Sequence, residues 1–322
     1  MASNRSQLVE LIRRGAIAPD TVDQAVAVLE LYPNGKAWRT LLDQLLLWLA
    51  SLSLGLSALF FIAYNWSALG RFARFGLVEA GLLVAVAAYW RFGHQRAPGQ
   101  AILLFASVLV GVLLALVGQV YQTGADPWQL FFIWALLISP WAILGQFAAL
   151  WVVWVALINL SLLLYFQAFG IFGSWSYSSQ LLFWLLFTFN ALVLALWELA
   201  ALHLDWLAVD WARRLVAMGS GVSITVLAFL AIVSNSTGPA LHLVVYGLWL
   251  AVMYGVYRRL KPDLFMLAGC CLSAIVVVTA FLANATLRSF EIGGFFLLAL
   301  AVLTMGALSV NWLKRINQEA GP

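Results

Sequence analysis

Ten times along this chain of 322 residues an apolar run gives way to a short polar break. The runs fall near 44–64, 71–90, 101–120, 127–145, 147–168, 180–201, 212–234, 238–257, 262–284 and 291–313. About 20 residues of helix, rising about 1.5 Å each, cross a hydrocarbon layer about 30 Å thick. Inside that layer each backbone N–H and C=O must find a partner within its own segment, which selects helices. Composition excludes the alternative of a water-soluble core: 64% of residues are hydrophobic and 9% charged, against about 45–50% and about 25% in soluble domains. The expected fold is all-α, a polytopic membrane protein of ten transmembrane helices whose first partner is the lipid bilayer.

Charge placement orients these helices. With the N-terminus inside, 14 of the 17 Lys and Arg residues fall on the inner side, and only Arg71, Arg74 and Arg288 fall outside. The positive-inside rule therefore places both termini in the cytoplasm, and an odd helix count would spoil the asymmetry. Trp66, Trp90, Trp128, Trp175, Trp206, Trp211 and Trp312 lie near helix ends, where indoles settle at the interface. A net charge of +4 distributed in this way is a membrane signal and gives no support to nucleic-acid binding. The first apolar run starts near Leu45 after a polar lead and shows no cleavage site, so it is expected to remain as a signal anchor.

Residues 1–40 read as a cytoplasmic helical hairpin ahead of a membrane domain at 41–322. Asn4 or Ser6 can cap a first helix running to Arg14, with Gly15 to end it. Pro19, Asp20 and Thr21 start a second helix through Leu31, stopped by Pro33, Asn34 and Gly35. A hairpin this small cannot bury a core alone, which points to docking on the membrane domain, the lipid surface or a membrane or cytoplasmic protein partner.

The densest polar block is GQVYQTGADPWQ, beginning at Gly118. Asp126, Pro127 and Gln129 suit the N-cap, N1 and N3 positions of a new helix, with the Asp carboxylate accepting from free backbone N–H groups. Gly124 suits the reversal before it. On the charge-derived orientation, Tyr64, Asn65, Gln119, Tyr121, Gln122 and Asp126 gather at the outer face. Glu79 lies deeper, about 16 Å from the Trp90 interface at about 1.5 Å per residue. An acid at that depth must pair, take up a proton or face water. These seven residues form the candidate polar cluster; the reading leaves open whether Glu79 is a bonded structural acid or a substrate or proton site.

AYNWSALGRF at 63–72 and LVGQVYQTGADPWQLFFIWALLISPWA at 116–142 resemble the family of predicted bacterial membrane proteins called domain of unknown function 2157. The lead VELIRRGAIAPDTVDQAVAVL at 9–29 resembles the hairpin that precedes the first span in that family. The resemblance covers about residues 5–150. It implies a bacterial inner (plasma) membrane location and supplies no activity, ligand or catalytic residue.

Elsewhere the polar residues read as structural. Asn159 and Asn190 fall mid-span on consecutive antiparallel helices, as an interhelical amide bond requires. Glu198, His203, Asp205, Asp210, Arg213 and Arg214 read as an ion-pair loop, and the histidine and acids match no metal-ligand spacing. His242 reads as a bonded helix residue, adjacent Cys270 and Cys271 as small packing residues, and Gly219, Gly221, Gly269, Gly293 and Gly294 as points of close helix approach. Ten is twice five, so an inverted repeat is a formal option, although residues 40–168 and 180–313 share no motif. No phosphate-cradling loop, HExxH, GxSxG or CxxC motif occurs. No cofactor, metal or catalytic residue is therefore expected, and the chain reads as a non-enzyme. Two functions follow: a transporter for a small solute or lipid with an extracytoplasmic-facing polar cavity, or a non-catalytic scaffold or sensor subunit of a membrane complex.

Overall fold

A computed structural model describes residues 8, 11–12, 14–18, 21–28, 35–65, 67–93, 97–169, 175–233, 239–286 and 293–319. Those residues form helices and turns, with no strand. A short helix α1 (Val22–Val28) precedes α2 (Gly35–Tyr64), α3 (Arg71–Phe92), α4 (Ala97–Tyr121), α5 (Pro127–Gly145) and α6 (Ala148–Phe169). These are followed by α7 (Trp175–Ala200), α8 (Asp210–Val233), α9 (Pro239–Gly255), α10 (Leu264–Thr286) and α11 (Gly293–Glu319). Ten of these, α2 to α11, are long and apolar enough to cross a membrane, as the hydropathy pattern requires.

In the N-terminal segment Gly15 sits at φ +68°, and its N–H reaches the Ile12 carbonyl at 3.0 Å while Ala16 N–H reaches Leu11 at 3.0 Å. Glycine thus closes the first helix as expected. The capping residues Asn4 and Ser6, together with Pro33 and Asn34, lie outside the described residues. The first span departs from its expected start: α2 begins at Gly35, so GKAWRTLLDQ is continuous with the apolar run rather than a lead to it. Lys, Trp, Arg, Leu and Gln all tolerate helical backbone, so nothing in that stretch interrupts propagation.

By packing, the chain divides into two units, Leu42–Ser223 and Met1–Leu41 with Ile224–Pro322. In the first unit α4 is the central element. Ile62 of α2 and Val78 of α3 meet Leu109, Val112 and Leu116 of α4. On α4's other side Leu103, Leu104 and Val110 pack with Ala135, Ile138 and Ala142 of α5 and with Leu150 and Leu157 of α6. Small residues set these distances. A Cβ on Gly55 would lie 2.5 Å from the Val108 side chain, and one on Gly111 would lie 2.5 Å from the Trp134 ring. The same Trp134 indole donates to the Ser107 carbonyl at 2.7 Å.

The α5–α6 turn carries Gly145 and Gln146. Gln146, rather than Gly145, takes the left-handed conformation, at φ +48°. Gly145 is kept small by packing, since a Cβ there would lie 2.6 Å from Leu103.

In the second unit a hydroxyl chain joins three helices. Thr225 Oγ1 and Ser273 Oγ are 2.6 Å apart, and Tyr246 Oη lies 3.0 Å from the same Ser273 oxygen. Asn284 Nδ2 donates to the Ile232 carbonyl at 3.0 Å. Each bond joins α10 to α8 or α9 in apolar surroundings, where an unpaired hydroxyl or amide would be costly.

Candidate functional site

The residues of the candidate polar cluster lie at one end of the α2–α5 group, with Glu79 further along α3. Asn65 is occupied locally: its Nδ2 donates to the Phe61 carbonyl at 2.9 Å, and its own carbonyl accepts from Ala68 and Leu69. It closes α2. Tyr64 is 89% exposed, and Gln119, Gln122 and Tyr121 are exposed as well. Tyr121 crosses to α3, its ring 5.9 Å from that of Phe75. Gln122 ends α4 at φ +44°, a left-handed conformation that costs a non-glycine residue about 1–2 kcal/mol. Trp66 lies outside the described residues.

Asp126 occupies the expected N-cap of α5 with extended backbone (φ −67°, ψ 149°) and Pro127 follows at N1. Its carboxylate makes no cap hydrogen bond, which corrects the expectation. The Gln129 N–H is already taken by the Asp126 backbone carbonyl at 3.0 Å, and Pro127 has no N–H to offer. The Asp126 side chain is therefore not consumed by the helix start.

Glu79 is the informative residue. The face of α3 that meets α4 runs through Val78, Leu82, Ala85 and Tyr89, at spacings of three and four. Glu79 lies about 100° round the helix from Val78. It is exposed and shares its face with Phe72, Leu83 and Trp90, which are 78%, 71% and 86% exposed. Among the described residues it has no hydrogen-bond or ion-pair partner. Arg74, five residues away, makes a contact of its own with another group. At about 1.5 Å per residue Glu79 stands roughly 12 Å from the start of α3 and roughly 20 Å from its end, well inside the span.

The amide pair forms as the sequence implies. Asn159 Nδ2 donates to Asn190 Oδ1 at 3.1 Å, and Asn190 Nδ2 donates to Asn159 Oδ1 at 2.6 Å. Each Nδ2 also donates to a carbonyl one turn back, Val155 and Leu186 respectively, both at 2.8 Å. Gly219 of α8 completes the arrangement: a Cβ there would stand 2.5 Å from Asn190 Oδ1.

At the far end of α7, Arg213 pairs with Glu198 at 3.6 Å and more closely with Asp210. His203 and Asp205 are exposed, and no cluster able to hold a metal ion occurs among the described residues. His242 is buried and partnered, and Cys270 and Cys271 are unbridged thiols. Sequence reasoning missed the Thr225–Ser273–Tyr246 chain. Its signal is a serine and a threonine at mid-span in otherwise aliphatic helices.

The fold is that of a polytopic, all-helical membrane protein whose internal polar groups largely satisfy one another. Residues 10–151 match the family model described as "Predicted membrane protein (DUF2157)", the family whose motifs the sequence resembles. No curated protein and no solved structure matches the chain.

Proposed function

We propose that this chain is a non-catalytic subunit of a bacterial inner-membrane complex, with both termini cytoplasmic, joined to its partner through the Glu79 face of α3. The partner is a transmembrane helix carrying a Lys or Arg at the depth of Glu79. One observation carries the reading: a carboxylate within a span, exposed on the outer side of its helix, with no partner among the described residues. A charge at a helix centre costs about 2.5–3.5 kcal/mol on insertion scales, and a cation brought by a neighbouring helix offsets that cost. The transporter reading has less support, because Asn159, Asn190, Ser107 and Ser273 are committed to internal bonds and the outer cluster is largely exposed. Residues 1–40 supply a second contact to the complex.

The test is site-specific photo-cross-linking in intact membranes, with the probe at Leu83 beside Glu79 or at the packed Leu109. The expected result is a protein adduct from Leu83 alone, mapping to a helix with Lys or Arg within one turn, and lost in Glu79→Gln. Lipid-only adducts, or an adduct indifferent to Glu79→Gln, would sink the proposal. Loss of substrate uptake in Glu79→Gln without loss of the adduct would favour the transporter.

A further inference from the structure

A second surface lies in the unit that contains Ile224–Pro322, where α9, α10 and α11 bring three of their ends together. The last turn of α9 widens over Val256–Leu260 into a π-helical turn, and Tyr257 within it is only 2% exposed. Lys261 N–H then bonds the Val256 carbonyl at 2.9 Å, and Asp263 N–H bonds the Tyr257 carbonyl at 3.1 Å. The Asp263 carboxylate caps α10, accepting from Phe265 N–H at 2.9 Å and Met266 N–H at 3.4 Å. This tight connection fixes where the basic residues of the turn stand.

Two contacts then hold the end of α9 beside the end of α11. Tyr254 and Trp312 stack with centroids 6.1 Å apart and planes 28° apart, and Arg258 is ion-paired to Glu319. Five cations, Arg258, Arg259, Lys261, Lys314 and Arg315, meet two acids, Asp263 and Glu319, leaving a net charge of +3. Both acids are already committed. Arg259, Lys314 and Arg315 are exposed and have no ion-pair or hydrogen-bond partner among the described residues. Leu260, next to Arg259 in the chain, is 76% exposed, and Phe265, in the first turn of α10, is 47% exposed.

Unpaired guanidinium and ammonium groups at one shared end of three helices, with exposed aliphatic and aromatic side chains on the same helix ends, match a phosphate joined to acyl chains. A free anion would use the cations but has no use for the apolar flank. We propose that the shared end of α9, α10 and α11 binds the headgroup of an anionic phospholipid, with Arg259, Lys314 and Arg315 as its phosphate contacts.

The test is native mass spectrometry of the full-length protein in detergent, titrated with phosphatidylglycerol or with phosphatidylcholine of the same chains. The intact protein should retain phosphatidylglycerol selectively. At about 1 kcal/mol per basic residue near an anionic surface, each charge accounts for about fivefold in affinity. Arg259→Gln/Lys314→Gln/Arg315→Gln should therefore bind about a hundredfold more weakly. Glu319→Gln, which releases Arg258, should bind about fivefold more tightly, and this gain does not depend on the triple variant folding. Arg91→Gln, in the other unit, should bind as the parent does. Equal retention of the two lipids, an unchanged Glu319→Gln, or an equal loss in Arg91→Gln would overturn the proposal. Displacement of the lipid by millimolar inorganic phosphate would assign the site to a free anion instead.

Discussion

Removing the Asn159–Asn190 pair should show how much a reciprocal amide bond holds together in this bundle. Asn→Leu keeps the approximate volume and removes the polar atoms. Each single variant leaves the other amide without its interhelical partner in apolar surroundings, a loss of about 1–3 kcal/mol. The remaining Nδ2 keeps its bond to the carbonyl one turn back, so the lower half of that range is expected. The double variant has no orphan. Interhelical bonds in membranes average about 0.6 kcal/mol each, so two reciprocal bonds predict a coupling of about 1 kcal/mol. The double variant should lose about that much less than the sum of the singles. Gly219→Ala tests the same geometry from the third helix, because its Cβ would stand 2.5 Å from Asn190 Oδ1 and 2.7 Å from Cγ. The amide must swing away and give up its partner, a destabilisation of about 1–3 kcal/mol that should largely vanish once Asn190→Ala removes the atoms the new Cβ would meet. Reversible unfolding of the detergent-solubilised protein, followed by steric trapping or by denaturing detergent, gives these free energies. Strictly additive Asn→Leu singles, or a Gly219→Ala penalty unchanged in the Asn190→Ala background, would refute the reasoning.

The α5–α6 turn predicts opposite signs at adjacent positions: Gln146→Gly should stabilise by about 1 kcal/mol by relieving a left-handed non-glycine residue, whereas Gly145→Ala should destabilise by about 1–2 kcal/mol through overpacking against Leu103. Intrinsic-tryptophan thermal unfolding reads both shifts; a stabilised Gly145→Ala would contradict the assignment of that glycine to packing. Ser273→Ala removes the shared partner of Thr225 and Tyr246 and should cost about 1–2 kcal/mol, with faster amide exchange in α8 to α10 but not in α4. Uniform exchange throughout the chain would show that the hydroxyl chain does not hold those helices.

Span number and most span limits, the start of the first span excepted, were legible because an apolar run of about 20 residues admits few other structures. The start of α5 was legible for a local reason: Asp126 and Pro127 carry their preference in their own backbone chemistry. Asn159 and Asn190 could be paired from sequence because they lie at matching depth on consecutive antiparallel helices. Gly219 could not be assigned to that pair, since α8 is not α7's partner by spacing alone, and only packing brings its backbone against the amide. Glu79 shows the same limit. Its depth follows from counting residues, but its exposure depends on which side of α3 meets α4, and α3 is apolar on nearly every side. The role of the Asp126 carboxylate depended on a competition, between a side-chain oxygen and the residue's own carbonyl for the Gln129 N–H, that composition does not reveal.

The central position of α4 has a consequence for how the chain is made. Its most apolar stretch is 56% buried, against 17% for the corresponding stretch of the first span and 11% for α3. Helices α2 and α3 are synthesised before α4, yet the Gly55 contact and the Ile62–Val78 cluster both await Val108, Leu109 and Val112. When the ribosome has just completed α3, two helices stand in lipid without the surface on which they pack. Assembly of this unit is therefore gated by the fourth helix: a nascent chain arrested before Ala97 should be prey for membrane proteases, and one arrested after Tyr121 should resist them.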